Sequence, residues 1–125
     1  EINGNLAGFS SASLEVNQAC AAEVGINRGM CFRYGNLVIV KAILGGMHFF
    51  SNTHLFIAPL GYRPHTNVAG TIMCRRYVAS TNTPLFAFSI LVTPDGRIFQ
   101  QFNGDGESTI WEGEIFVAYT TQPLT

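Results

Sequence analysis

Two carboxylates stand at a spacing that could do chemistry. Glu112 and Glu114 lie two residues apart in an alternating run. On a strand this places both on one face, about 7 Å apart. That separation suits the carboxylate pair of glycoside hydrolysis. A solvated strand face is the simpler account of the same pattern. The three histidines, His48, His54 and His65, fall in or beside residues 44–67. No two have the HxH or HxxxH spacing of metal ligands. The serines lack a GxSxG setting, and no P-loop or GxGxxG occurs. Asn103-Gly104-Asp105-Gly106-Glu107 begins like a calcium loop but lacks the rest of the ligand ladder, so it reads as a Gly-rich hairpin turn. The expectation is a chain without catalysis, metal or cofactor.

What remains is a recognition surface. His48, Phe49, Phe50, Asn52 and His54 mix flat apolar rings with polar tips. Saccharides are bound by such mixtures: a ring stacks on the sugar face while amides and imidazoles take the hydroxyls. The candidate saccharide contacts are His48, Phe50, Asn52, His54, Asn103, Asp105 and Trp111. Trp111 ranks last, because it opens a strand whose alternation turns it inward.

The elements that must hold these residues are strands. Turn signals fall at Asn3-Gly4-Asn5, Asn27-Arg28-Gly29, Gly45-Gly46, Pro94-Asp95-Gly96 and Asn103-Gly104-Asp105-Gly106. Between them, runs rich in Val, Ile, Phe, Tyr and Thr predict strands at 30–34, 36–44, 53–57, 71–80, 85–93, 97–102 and 110–120. Residues 14–24 read as strand, with a short helix behind a Ser13 cap as the alternative. Thr93-Pro94-Asp95-Gly96-Arg97 predicts a hairpin, with Gly96 in the left-handed conformation. In the last strand Trp111, Gly113, Ile115, Val117 and Tyr119 should face the core. The run at 85–93 is apolar on both faces, which calls for a covering partner such as a second subunit. The predicted class is all-β: a compact antiparallel β-sandwich or barrel, jelly-roll-like.

Length and composition agree. The 125 residues make one domain, with residues 1–29 as a linker or N-terminal strand segment of something longer. Only 12% of residues are charged, about half the usual share. Asn, Gln, Ser and Thr number 30 against 15 charged residues, so the wet surface is mostly amide and hydroxyl. A net charge of -1 and a single lysine, Lys41, exclude a strongly basic nucleic-acid binder. No stretch approaches the ~20 apolar residues of a spanning helix. So few charges favour a chain that hides apolar surface in an oligomer. The odd count of three cysteines argues against a complete disulfide framework and for buried thiols from a reducing compartment.

Four motifs in order carry a resemblance. Arg33-Tyr34-Gly35-Asn36-Leu37-Val38-Ile39-Val40 is similar to the "r-x-G-N-l-V-x-v" strand of phage tail-tip domains. Ala58-Pro59-Leu60-Gly61-Tyr62-Arg63-Pro64 resembles their "lP-x-GyRP" turn, with Pro59 and Leu60 in reversed order. Ile90 to Ile98 resembles their "v-x-I-x-x-D-G-x-i" hairpin, and Trp111 to Tyr119 their closing strand. The resemblance covers about residues 30–120 and is to C-terminal head domains of tail-fibre and baseplate receptor-binding proteins of siphophages and tailocins. It implies a homotrimer at the virion tail tip, made in the host cytoplasm. It also implies non-catalytic adhesion to a bacterial cell-surface glycan; charge and hydropathy add the expectation of no nucleic-acid binding and no membrane insertion. Gly61, Tyr62, Arg63, Pro64, Asp95 and Gly96 are then structural turn residues. A tip or trimerisation domain without its own ligand, and a glycan depolymerase using Glu112 and Glu114, are the alternatives.

Overall fold

Apolar residues at every second position give strands that bury one face, the pattern of most of the nine strands among the described residues. The computed structural model describes residues 8–22, 27–77, 84–101 and 109–121. In chain order the strands are β1 (Phe9–Ser13), β2 (Glu15–Val16), β3 (Asn27–Tyr34), β4 (Leu37–His48), β5 (His54–Ile57), β6 (Val68–Arg76), β7 (Phe86–Val92), β8 (Arg97–Gln100) and β9 (Ile110–Thr120). All pair antiparallel in one sheet of order β1-β3-β4-β9-β6-β7-β8-β5-β2. The described residues contain no helix, and therefore none long and apolar enough to cross a membrane.

The two ends of that order, β1 and β2, are consecutive in the chain. Ser13 pairs with Met30 of β3, while Glu15 pairs with Ile57 of β5. Leu14 is the switch: its amide donates to Gly29 O at 2.9 Å, and its side chain is buried. One continuous segment thus spans both edges, so the sheet is a nearly closed barrel. Closure removes the exposed edges that an open sheet would present. The interior is the packed core. Val38, Val40 and Ala42 of β4, Ile72 of β6, Ile90 and Val92 of β7, Ile98 of β8 and Ile115 of β9 are fully buried.

Several sequence expectations are corrected here. Asn27-Arg28-Gly29 is not a turn but the start of β3, and Gly45-Gly46 lies inside β4. At Gly45-Gly46 the β4–β9 register slips by one residue between Leu44 and Met47, a β-bulge. The Asn27 amide satisfies it: Oδ1 accepts from Gly45 N (3.1 Å) and Gly46 N (3.3 Å), and Nδ2 donates to Gly46 O (2.7 Å). A Cβ at Gly29 would lie 2.5 Å from Leu14 Cδ1 and 3.0 Å from Ala42 Cβ, so a larger residue there would displace the Leu14 side chain. Of the run at 14–24, only Glu15–Val16 is strand among the described residues, and a turn follows. β6 begins at Val68 rather than 71.

Most of the expected core face of β9 is present: Trp111, Ile115, Val117 and Tyr119 are buried, while Gly113 is only half-buried. The two-faced apolar run is not buried twice within one chain. Ile90 and Val92 point inward, while Leu85, Ala87 and Ser89 are exposed.

Candidate functional site

The hairpin after β7 orients one outward surface. Thr93 N donates to Arg97 O (3.0 Å) and Gly96 N to Thr93 O (2.8 Å). Thr93 Oγ1 donates to the Asp95 carboxylate, and Arg97 pairs with Asp95 at 3.4 Å. The Thr93 hydroxyl, ahead of the Arg97 amide and guanidinium, holds the Asp95 carboxyl below its ordinary range. Gly96 has φ 88°, and a Cβ would lie 2.5 Å from Ala58 O. The turn therefore fixes β8 against β7, with Leu91 opposite Phe99.

A second irregularity sits beside it. Between His54 and Phe56 the β5–β8 register slips by one residue. The extra residue lets both Leu55 and Phe56 turn into the core. His54 stays opposite Phe99, its ring edge-on to the phenyl at 6.1 Å. Bulges of this kind re-aim side chains at sites on barrel surfaces. Asn17 Nδ2 holds the His54 carbonyl at 2.8 Å. Desolvation pulls the His54 imidazole below its ordinary range. Arg97 adds to this, and Asp95 and Glu15 oppose it. A neutral imidazole offers one donor and one acceptor.

Between these features lies a groove of about 450 Å³, lined by Ser51, Asn52, Leu91, Thr93, Phe99, Gln100 and Gln101. Its polar groups are all amides and hydroxyls, and its apolar surface comes from Leu91 and Phe99. Buried Gln100 shapes it by donating from Nε2 to Phe50 O at 3.0 Å, which ties the 50–52 turn to β8. Asn52 sits at φ 59°, a left-handed conformation that Asn tolerates better than most residues. Hydroxyls both donate and accept, as do side-chain amides, so this lining matches a neutral polyol.

The sequence candidates divide. Asn52 lines the groove, and His54 touches the ring that lines it. His48 sits at the far end of β4, its Nδ1 3.3 Å from Thr109 O and its ring 6.1 Å from Phe50. Phe50 packs partly against the core and reaches the groove only through its carbonyl. Trp111 is 3% exposed, stacked on Phe49 at 5.5 Å with Arg76 over its ring at 5.9 Å, which makes it a core residue and not a surface contact. Asn103 and Asp105 lie outside the described residues. Sequence reasoning missed Phe99 and Gln101. Alternation from Arg97 would have found them, since residues 97, 99 and 101 share the outward face of the hairpin.

The turn residues form a separate knot at Gly61–Pro64. Buried Arg33 donates to Gly61 O and to Gly35 O (2.6 Å). Tyr119 Oη donates to Tyr62 O at 2.5 Å, and Tyr62 Oη donates to Ser10 Oγ at 2.8 Å. Thr121 Oγ1 donates to Arg63 O, Arg63 Nε donates to Ala58 O at 2.8 Å, and Pro64 bridges to Thr121. Carbonyls here satisfy a buried guanidinium, which would otherwise be costly. The knot joins β1, β3 and β9 to the hairpin.

Other reactive groups lie apart from the groove. Cys20, Cys31 and Cys74 are free and buried. Burial pushes the first two thiols up to about 11 and the third up to about 12. Glu112 and Glu114 flank an outward depression with Arg75, Met73 and Leu85. Among the described residues, no three His, Cys, Asp or Glu side chains gather as a metal site. No protein-family model matches the chain, and no curated protein matches it.

Proposed function

We propose that this domain is a non-catalytic saccharide-binding head, displayed as a homotrimer at a phage tail tip and adhering to a neutral glycan of the bacterial surface. The observation that carries the reading is the groove of Asn52, Ser51, Thr93 and Gln101 beside Phe99 and Leu91. It offers amides and hydroxyls for sugar hydroxyls, and apolar carbon for a sugar face. It has no lysine or arginine in its lining, so phosphate- or uronate-rich polymers are disfavoured ligands. The motif resemblance supplies the tail-tip setting and the trimer. One shallow groove binds weakly, and three linked copies on a repeating glycan raise avidity by about 10² to 10⁴.

The test uses an array of neutral and acidic bacterial glycans and host-cell adsorption, with Asn52→Gly as the variant. Glycine keeps the left-handed turn while removing the amide. The expected result is binding to neutral glycans that Asn52→Gly weakens at unchanged melting temperature. Retention on no glycan, or unchanged binding by Asn52→Gly, overturns the reading. Release of reducing ends from the bound glycan would replace adhesion with hydrolysis by a site elsewhere.

A further inference from the structure

We infer that the outward face of β4, β9 and β6 joins copies of this chain, with Phe116 at its centre and Lys41 of one copy meeting Glu114 of the next. This rests on the trimer proposed above and specifies the surface that builds it.

The face is apolar where a barrel exterior is usually wet. Phe116 is 63% exposed, Met73 45%, Leu37 42% and Ile43 39%. The ladder gathers Ile43 and Met73 next to Phe116 and leaves Leu37 at the far end of β4, opposite Thr120. Phe116 stands between Lys41 of β4 and Thr71 of β6, and Glu114 stands between Ile43 and Met73. The expectation of a covering partner, raised by the two-faced apolar run at 85–93, leads to the same side of the barrel, since exposed Ala87 and Ser89 of β7 pair with Met73 and Thr71. Contiguous exposed apolar surface of this kind marks an interaction site.

The charges on the face indicate what covers it: Lys41 and Glu114 lie beside Phe116, and Arg75 and Glu112 stand opposite each other one step beyond Glu114. Lys41 and Glu114 lie one diagonal step apart on adjacent strands. Neither forms an ion pair among the described residues, where the one such pair is Arg97–Asp95. A face that carries two cations, Lys41 and Arg75, and two anions, Glu112 and Glu114, is complementary to a copy of itself. Around a threefold axis Phe116 packs against its counterparts, and the Lys41 edge of each copy reaches the Glu114 of its neighbour. A heterologous contact repeated by a threefold rotation closes into a ring. It also buries much of the apolar surface that a chain with 12% charged residues would otherwise leave in water.

The experiment is light scattering of the full chain at micromolar concentration. Wild type should associate, while Phe116→Asp should be a folded monomer, because the residue is exposed in the single chain. Lys41→Glu and Glu114→Lys should each weaken association at least tenfold. The double variant K41E/E114K should restore it. An equimolar mixture of the two single variants should form complexes that neither forms alone. A monomeric wild type, or Phe116→Asp and both charge variants associating like wild type, overturns the inference. The mass of the wild-type complex reports on the proposed trimer separately. A two-chain complex broken by Phe116→Asp keeps this face and refutes the trimer. A three-chain complex indifferent to every variant keeps the trimer and refutes this face.

Discussion

Two outward surfaces of one barrel differ sharply. On the β7–β8–β5 side, residues facing out are Leu91, Phe99 and His54, rimmed by Thr93, Asn52 and Gln101. On the β4–β9–β6 side, they are Leu37, Ile43, Phe116 and Met73, with Lys41 and Glu114 among them. Beneath both, the inward residues are alike: Val92, Ile98 and Phe56 on one side and Ala42, Ile115 and Ile72 on the other, all at 0% exposure. Period-two alternation lets the two faces of a strand be chosen independently. Packing holds the inner face to apolar side chains, and the outer face is left to specialise. Here one side became a polar groove and the other an apolar sheet.

The largest test of that comparison strikes the shared interior. Phe56→Ala under the groove should cost about 3–5 kcal/mol and Ile115→Ala under the apolar face about 2–5 kcal/mol, read from urea unfolding. Near-neutral behaviour on one side would mean that the two faces do not rest on a common core. Next comes the hairpin that builds only the groove side. Gly96→Val should cost about 1–3 kcal/mol through its left-handed backbone. The contact with Ala58 O adds to that cost, and the melting temperature would show the loss. A still smaller effect separates the functions. Asn52→Gly should weaken saccharide affinity about tenfold, ~1.4 kcal/mol, in titration calorimetry. Phe116→Asp should leave the affinity of a single groove unchanged, and equal losses from both would merge the two surfaces into one site.

The smallest effect is a pH dependence confined to the groove side. His54 binds its proton less readily in the folded chain than when unfolded, mainly through desolvation. Its contribution to stability is complete above its ordinary value of about 6.5 and is lost as pH falls toward the lower folded value. His54→Gln should therefore reduce the drop in urea midpoint between about pH 7 and pH 5. An unchanged drop would assign it to other groups.

Much of the scaffold was legible because it is local. The strands at 85–93 and 97–102 and the turn between them follow from alternation and from Pro94-Asp95-Gly96, and β7 and β8 pair as that turn requires. The inward set Trp111, Ile115, Val117 and Tyr119 follows from the same alternation. The groove was only half legible. Asn52 and His54 drew attention as polar residues near aromatics, but their partners Leu91, Phe99 and Gln101 arrive from another hairpin, some 40 residues along the chain. Trp111 carried the right chemistry for a sugar contact and the wrong address, since Phe49, Phe86 and Phe88 enclose it.

The sequence by itself determined the class and the inward face of β9, because the two-residue period and the turn chemistry act between near neighbours. The low charge and the amide-rich surface were likewise plain from composition. Only the tertiary structure decided that Leu14 carries the chain from one sheet edge to the other, that Gly45-Gly46 is a bulge held by Asn27, and that the extra residue in β5 keeps His54 beside Phe99. Each of these depends on which strand lies alongside which, and at what register. Strand pairing is a contact between distant residues whose local signals are the same for every candidate partner, so the choice is made by the closed barrel as a whole.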